Sequence, residues 1–233
     1  MFQTFLITPL YNTFVFLIGV THGSVGFAIL LLTLLIRIIF YPAFSASIRT
    51  QMGMQSVQSE LDEINRVYKD NAEERAKRTM LLFKEKKIRP FASFVALLVQ
   101  LPVFFALYFA FFREGLPHIA TALLYPFVSV PGAVDTTFFG IDLLAKNNLI
   151  LVVLVAATQY LAIRYSLTRT SAKPKDPAAA AAHQVQRSMM LYGMPALLAS
   201  VAYSFPGAVA LYFTMSNCIS IGQEWVIKHQ NSA

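Results

Sequence analysis

Five long apolar runs dominate the pattern of hydrophobic and polar positions along this chain. An α-helix rises about 1.5 Å per residue, so about 20 apolar residues cross about 30 Å of hydrocarbon. Each run has that length or comes near it, and prolines stand where several of the runs end, as expected of helix breakers. The pattern predicts five transmembrane helices, at Ser24–Tyr41, Phe91–Phe112, Asn148–Ile163, Met189–Phe205 and Gly207–Val226.

The segments between the runs complete the predicted division of the chain. Residues 1–23 are expected to form an interfacial amphipathic helix, with an additional short span as the alternative. In order, the predicted segments are this interfacial helix 1–23, the first span 24–42, a cytoplasmic helical hairpin 43–89, the second span 90–112, an extracytoplasmic loop 113–147, the third span 148–163, a flexible basic cytoplasmic loop 164–188, the fourth and fifth spans as a hairpin 189–226, and a short cytoplasmic tail 227–233.

The long charged segment 43–89 carries a helical pattern of its own. Val57 and Leu61 begin an apolar stripe at helical spacing, and Met80 and Phe83 begin a second one after a polar break. The pattern predicts two antiparallel helices joined along a narrow apolar seam, with mixed charges on their outer faces. We refer to this segment as the charged hairpin.

Composition places the whole chain in a membrane. Of the 233 residues, 56% are hydrophobic and 13% are charged, against roughly 25% charged in ordinary soluble domains. A soluble fold of this size could not bury so much apolar surface, which excludes a disordered chain, a collagen and an ordinary cytosolic enzyme. The predicted fold class is an all-α integral membrane protein.

The charges of the connecting segments predict the orientation. Residues 43–89 hold ten Lys and Arg against seven Asp and Glu, and residues 164–187 hold five against one. Residues 113–146 hold two basic against three acidic residues. By the positive-inside rule the N-terminus lies outside and the C-terminus inside. No basic residue precedes Arg37, so we expect no cleaved secretory signal and place the chain in a bacterial plasma (inner) membrane as a multi-pass protein.

Arg37 interrupts the apolar run of the first span. An arginine at the centre of a span costs about 2.5 to 3.5 kcal/mol on insertion scales. Because helical side chains tilt toward the helix N-terminus, Arg37 leans into the bilayer. A functional, partly hydrated arginine is one interpretation, and snorkelling to the cytoplasmic interface is the other.

Polar residues of the other spans are predicted to lie at a depth similar to that of the Arg37 guanidinium, when depth is counted at about 1.5 Å per residue from the inner span ends. The fifth span has a polar half, which also contains Thr214 and Gln223. We interpret the set as a hydrophilic groove that opens toward the cytoplasm, with ordinary interhelical hydrogen bonding as the alternative. The predicted groove residues are Arg37, Thr33, Gln100, Gln159, Asn217, Ser216 and Ser220.

Residue sets that carry enzyme chemistry are missing from this sequence. No span has Lys, Asp or His within its core, so a Ser/Lys dyad, an aspartyl pair and a metal-ligand cluster all lack parts. The single cysteine, Cys218, cannot form an internal disulfide, and there is no glycine-rich phosphate-binding loop. We therefore expect no enzyme activity, no metal and no cofactor.

Four sequence segments, taken in order, form a more specific pattern than the composition. They are LLTLLIRIIFYP at 31–42, KIRPFASFVALLVQLPVFFALYFAF from Lys87, FFGIDLL at 138–144 and FPGAVALYFTMSN at 205–217. Together with the topology they resemble the YidC/Oxa family of membrane protein insertases, over about residues 5–226. The large extracytoplasmic domain of some family members is missing from this sequence, so the sequence resembles the compact form.

The resemblance implies a five-helix core without a channel, which receives newly made membrane proteins and releases them sideways into lipid. The family's intramembrane arginine corresponds to Arg37, and a groove residue on the same helix corresponds to Thr33. Gln100-Leu101-Pro102 corresponds to a motif of the second span. The resemblance also implies that substrates slide along the second and fourth spans, at Phe94, Leu98, Leu101, Pro102, Phe105, Met190 and Met194.

The partners that the resemblance implies are nascent membrane proteins and the lipid bilayer. The Sec translocon and the ribosome are further candidates, and a monomer is the expected state. Because the tail after Val226 is short, we expect ribosome contact, if any, through the basic loops. Two other functions stay open: a small polytopic transporter that binds an anionic solute at Arg37, and a passive scaffold for membrane-protein assembly.

Overall fold

The computed structural model describes residues 5, 7–89, 91–92, 98–99, 101, 104–105, 107–110, 116–167 and 177–230. These residues are mostly helical, as the apolar runs predict. The helices are α1 (Thr8–Val20), α2 (Val25–Ile39), α3 (Tyr41–Ser56), α4 (Gln58–Val67), α5 (Ala72–Glu85), α6 (Leu149–Leu167), α7 (Pro177–Ser188), α8 (Met194–Ser204) and α9 (Gly207–Gln230). A 3-10 turn (Thr121–Leu123), a π-helical turn (Met189–Gly193) and a two-stranded sheet complete the described structure.

Within the described ranges, α6 is the one helix that is by itself long and apolar enough to cross a membrane, with a mean hydropathy of 1.7. Only 11% of its apolar window is fully buried inside the protein, and most other residues of α6 are half-buried or exposed. Helices α2 and α3 meet the same criterion as a pair, but they are bent by 73° at their junction. The second predicted span, 91–112, lies largely outside the described residues, and the count of five spans stays a prediction.

The bend between α2 and α3 follows from the local sequence. Pro42 lacks a backbone N–H and stands in the first turn of α3, where a proline begins a helix more readily than it continues one. The N–H of Phe40 closes α2 by donating to Ile36 O at 2.9 Å, and the N–H of Phe44 then donates to Phe40 O at 3.1 Å. The first apolar run therefore ends as a helix at Ile39, slightly before its predicted end.

Helix α1 forms where the interfacial helix is predicted, and it packs against α2 and against the loop that precedes α6. Asn12 Nδ2 donates to Leu123 O at 2.9 Å, and Asn12 Oδ1 accepts from Tyr125 N at 2.6 Å. The hydroxyl of Tyr11 accepts from Ala120 N at 3.0 Å. One face of α1 is therefore buried under this loop, while the position of the helix at a membrane interface stays a prediction.

The same loop carries a β-hairpin, with β1 (Thr137–Phe138) and β2 (Ile141–Asp142) paired antiparallel. Its backbone is fixed to the first residues of two helices. The N–H of Val25 donates to Asp135 O at 2.9 Å, and the N–H of Ala208 donates to Leu143 O at 2.9 Å. The N-terminal ends of α2 and α9 therefore meet one loop, at the same side of the molecule.

A second, smaller core holds the charged hairpin together. Asn71 caps α5 by accepting a hydrogen bond from Glu74 N at 3.0 Å, which begins the return helix after the polar break. Met80, which the sequence places in the seam, is 58% exposed, because the α5 seam is formed by Leu82 and Phe83. The buried members of this core are Val57, Leu61, Leu82 and Ile88.

The prediction of a flexible loop over 164–188 is wrong for its second half, because α7 occupies Pro177–Ser188. Five consecutive alanines have the highest helix propensity, and a proline fits the first helical turn. Helix α7 continues through the π-helical turn into α8, so the fourth predicted span begins inside a longer helical stretch. His183 Nε2 of α7 lies 3.0 Å from Asp62 Oδ1 of α4, which joins the two basic segments. Residues 168–176 lie outside the described ranges.

Candidate functional site

Arg37 lies in the last turn of α2, and its guanidinium contacts one face of α9. Nη2 donates to Ser220 Oγ at 2.6 Å, to Ser216 Oγ at 2.8 Å and to Ser216 O at 2.9 Å. Nη1 donates to Gln223 Oε1 at 2.8 Å. Arg37 is 7% exposed, so the side chain is buried in the helix interface and does not reach bulk solvent.

The environment of Arg37 is polar but uncharged. All four hydrogen-bond acceptors belong to serine, glutamine or the backbone, and the ring of Phe44 lies 4.2 Å from the guanidinium carbon. Within the described part of the chain, Arg37 forms no ion pair. Neutral acceptors and an aromatic face disperse a buried charge without cancelling it. Among the described contacts, the positive charge of Arg37 is therefore not neutralised by an acidic partner.

The spacing of the acceptors on α9 explains how one side chain reaches all of them. Ser216 and Ser220 are four residues apart, and Gln223 follows three residues later, so the three share one helical face. The sequence analysis places Ser216 and Ser220 in the groove. Gln223 is predicted in the polar half of the fifth span but not among the groove residues.

Thr33 shares a face of α2 with Arg37 and is only 2% exposed, but it does not join the arginine. Its hydroxyl donates to Ile29 O of its own helix at 2.7 Å. Thr214 of α9 does the same, donating to Ala210 O at 2.9 Å. Such intrahelical bonds allow a hydroxyl to be buried without a partner on another helix. Among the described contacts, Thr33 thus lines the α2 face without a bond to Arg37.

Two other predicted groove residues belong to a different interface. Asn217 Nδ2 donates to Thr158 Oγ1 at 3.2 Å, which joins α9 to α6. Gln159 is half-buried on α6, and no described hydrogen bond connects it to Arg37. The depth count therefore does not identify the helix pair to which each residue belongs, and a common depth of these residues stays a prediction. Gln100 lies outside the described residues.

The predicted substrate-sliding residues are surface-exposed wherever the structure describes them. Leu98 is 49% exposed and Met194 is 43% exposed. Phe104, between two of the predicted positions, packs its ring 5.5 Å from that of Phe205, at the turn between α8 and α9. Leu101, Phe105 and Met190 are also exposed, whereas Phe94 and Pro102 lie outside the described residues.

A buried ion pair outside the predicted groove lies near the end of α9. Lys228 Nζ is 2.8 Å from Glu224 Oε1, and each side chain is 9% exposed. Lys228 Nζ also donates to Tyr165 O at 2.7 Å and lies 3.8 Å from the centre of the Tyr165 ring. The i, i+4 spacing of a glutamate and a lysine was the available signal. The pair joins α9 to α6, one turn beyond the Arg37 contacts.

The family of the chain follows from comparison with known proteins. A family model described as 60Kd inner membrane protein matches residues 16–233. The chain belongs to this family, the YidC/Oxa family. The resemblance indicated by the four sequence segments is thereby confirmed. The mostly helical structure and the family agree with an all-α membrane protein.

Curated relatives of this YidC/Oxa family chain include proteins named "Membrane protein insertase YidC". Three of them are from Francisella tularensis subsp. novicida (strain U112), subsp. tularensis (strain SCHU S4 / Schu 4) and subsp. holarctica (strain LVS). Each is 30% identical over 212 residues, which is 91% of this chain and 34% of the relative. The chain therefore spans about a third of the length of the curated relatives that it matches.

Proposed function

We propose that this chain is a membrane protein insertase and chaperone. It accepts hydrophobic segments of newly made proteins through a hydrophilic groove centred on Arg37 and releases them laterally into the bilayer. The observation that carries the proposal is the buried Arg37 guanidinium, which is held by neutral acceptors of α9 with no described acidic partner. The names of the relatives support the same activity.

The proposed topology has five spans, with the N-terminus outside and the C-terminus inside a bacterial inner membrane. The spans are α2, the segment 91–112, α6, α8 with the π-helical turn before it, and α9. The charge asymmetry of the loops supports this orientation. The shared loop at the N-terminal ends of α2 and α9 supports it as well, because both helices then begin on the same side of the membrane.

The proposed mechanism uses the uncompensated charge of Arg37. Moving a polar segment across lipid is costly because its polar groups lose water. A groove that reaches the level of Arg37 from the cytoplasm shortens the dry path. A carboxylate of the incoming segment would replace neutral acceptors such as Ser220 and Gln223 by an ion pair, in which both partners are charged and two parallel N–H···O bonds can form. The membrane potential would add about 2.3 kcal/mol per charge per 100 mV.

The proposed exit path is the apolar surface formed by the second and fourth spans. Exposed, flexible methionines such as Met190 and Met194 can contact helices of many sequences. Leu98, Leu101 and Phe105 present further apolar surface on the other side of the path. We include Phe94 and Pro102 in this surface on the basis of the resemblance. Nascent membrane proteins and lipid are the proposed partners, with the Sec translocon and the ribosome as additional ones.

The proposal can be tested by separating the charge of Arg37 from its size. Purified protein with Arg37→Lys, Arg37→Gln or Arg37→Ala is reconstituted into proteoliposomes, and insertion of a single-span substrate is followed by protease protection. We expect Arg37→Gln and Arg37→Ala to lose most insertion of a substrate whose translocated end is acidic, and Arg37→Lys to retain part of it. Arg49→Ala, which removes an exposed arginine of α3, is the matched control.

The same substrate with the acidic residues of its translocated end neutralised is tested in parallel. If its insertion is as sensitive to Arg37→Gln as that of the acidic version, charge attraction is not the mechanism. If Arg37→Ala inserts both substrates like the unmodified protein, the proposed groove function is wrong. A flux of small anions that is abolished by Arg37→Gln would instead favour the transporter.

A further inference from the structure

The tip of the β-hairpin combines an unusual backbone with an unusual side chain. Phe139 and Gly140 connect β1 to β2, with φ values of 48° and 79°. A two-residue turn with positive φ at both positions favours Asn-Gly, and a bulky aromatic residue at the first position is uncommon. The Phe139 side chain is nevertheless 83% exposed. Packing inside the described protein therefore does not account for a phenylalanine at this position.

The position of the hairpin in the molecule is fixed by backbone hydrogen bonds. Asp135 N donates to Gly23 O at 2.8 Å, and Gly207 N donates to Ala145 O at 3.0 Å. These bonds hold the loop at the N-terminal ends of α2 and α9, the ends far from Arg37. The hairpin thus lies level with the ends of two helices of a membrane protein, at the height where a bilayer interface is expected.

An apolar surface leads from α2 to the hairpin tip without a break. Phe138 packs against α2 so closely that a Cβ atom at Gly26 would lie 2.0 Å from Phe138 Cδ2. The Phe138 ring meets Phe27 edge-on at 5.3 Å and Phe139 at 4.6 Å. Phe27 in turn begins an exposed apolar row along the outer face of α2. The row consists of Phe27, Leu31, Leu34, Leu35 and Ile38.

The charged groups nearest to the turn are directed toward their own backbone. Asp135 Oδ1 accepts from Thr137 N at 2.8 Å, and Asp142 Oδ1 accepts from Leu144 N at 2.9 Å. The hairpin tip itself consists of Phe139 and Gly140, which carry no charge. A surface of this kind suits the interfacial region of a bilayer, where aromatic rings are favoured, and it has no feature that requires anionic lipid.

We propose that Phe139 is a lipid anchor, which inserts its ring into the leaflet at the N-terminal ends of α2 and α9 and so docks the loop on the membrane. The partner is the phospholipid interface, continuous with the lipid that covers the Phe27–Ile38 face of α2. The inference rests on the membrane setting and on this hairpin, and it does not require insertase activity. It assigns a function to an aromatic residue in a turn where the backbone favours asparagine.

Fluorescence from a single tryptophan tests the proposal. Trp225, the sole tryptophan, is replaced by Phe, and Phe139→Trp or Thr137→Trp is then introduced into this background. Thr137 is the matched control because it is exposed on β1 and points to the opposite face from Phe138. In phosphatidylcholine proteoliposomes we expect a blue-shifted Phe139→Trp emission, quenched several-fold more by lipids brominated near the headgroup than that of Thr137→Trp. Adding phosphatidylglycerol should leave the difference unchanged.

The proposal would be overturned if Phe139→Trp emits at the wavelength of tryptophan in water and is quenched no more than Thr137→Trp. That result would point to a hairpin tip that contacts another protein. A second variant guards against misfolding. Phe139→Asn suits the positive φ of the turn but removes the ring that docks the loop on the membrane. We therefore expect faster protease cleavage of the loop in lipid nanodiscs. An unchanged cleavage rate would also overturn the proposed anchor. Adding Arg37→Ala to the tryptophan variant should leave its quenching unchanged, which separates this result from failure of the insertase proposal.

Discussion

Arg37 and Ser220 are joined by a hydrogen bond of 2.6 Å between Nη2 and Oγ, which connects α2 to α9 across 183 positions of sequence. Together with the hydrogen bonds to Ser216 and Gln223, this bond lets Arg37 hold the two helices together. In the proposed mechanism, a substrate carboxylate that binds Arg37 would replace some of these hydrogen bonds. The loss of a serine is therefore expected to lower the stability of the protein and to leave its insertion activity in place.

The first prediction concerns these serines. The double change Ser216→Ala and Ser220→Ala removes two hydroxyl acceptors from a buried cation, and we expect unfolding in detergent to become easier by about 2 to 4 kcal/mol. Insertion of an acidic substrate should be retained, because the charge is less satisfied within the protein. Ser204→Ala is the control: its exposed hydroxyl bonds its own helix, and the expected change is within about 0.5 kcal/mol. A double variant as stable as this control would show that the serines do not hold Arg37.

The second prediction concerns two glycines in helices. Gly26→Ala places a Cβ atom 2.0 Å from Phe138 Cδ2, so the hairpin must move, and we expect a loss of about 1 to 3 kcal/mol. Gly222→Ala in α9 meets nothing within 4 Å, and there we expect a gain of about 0.5 to 1 kcal/mol from the higher helix propensity of alanine. Thermal unfolding of both variants in the same micelle measures the difference. Equal effects would contradict the close packing of the hairpin on α2.

The third prediction concerns Asn12, which is 2% exposed and bonds two backbone groups of the loop. Asn12→Ala leaves Leu123 O and Tyr125 N without these partners. We expect a loss of about 1 to 3 kcal/mol and faster hydrogen exchange at the N–H of Tyr125. Thr13→Ala is the comparison, because the Thr13 hydroxyl bonds only Pro9 O of its own helix. Unchanged exchange at Tyr125 in Asn12→Ala would contradict the assigned contact.

The fourth prediction concerns the buried pair Glu224 and Lys228. Removing one partner leaves an uncompensated charge, so Glu224→Gln or Lys228→Met alone should cost about 3 kcal/mol, and the double variant less than the sum. The exposed pair Glu63 and Arg66, whose side chains are 58% and 63% exposed, should show a coupling below about 1 kcal/mol. Double-mutant cycles on both pairs provide the measurement. Strict additivity at Glu224 and Lys228 would mean that the pair does not act as a unit.

The mostly helical structure can be predicted from the sequence because it depends on local properties, and these properties also single out Arg37 as a candidate. Apolar runs fix where helices form, and one cation in such a run is conspicuous. The choice of partners depends on helix rotation and packing, which a depth count does not contain. The depth count groups Thr33 and Asn217 with Arg37, yet Thr33 bonds its own helix and Asn217 bonds Thr158 of α6.

Two misjudged segments have separate physical causes. The alanine run lies inside the first turns of α7, where alanine propensity favours a helix, whereas the neighbouring prolines and lysines predict a flexible linker. In the charged hairpin, the α5 seam is set by contact with α4, and Met80 is rotated out of it. Which face of a short amphipathic helix is buried depends on the helix that packs against it. A single periodic pattern does not identify that second helix.

The 73° bend at Phe40 has a mechanical consequence. Phe44, whose ring lies against the Arg37 guanidinium, belongs to α3, and Thr50 of the same helix donates to Arg89 O at the C-terminal end of the charged hairpin. Helix α3 thus connects the Arg37 site to the charged hairpin, and it meets α2 at the bend at Phe40. A change in the tilt of the charged hairpin would therefore move the Phe44 ring relative to Arg37, the charged residue of α2.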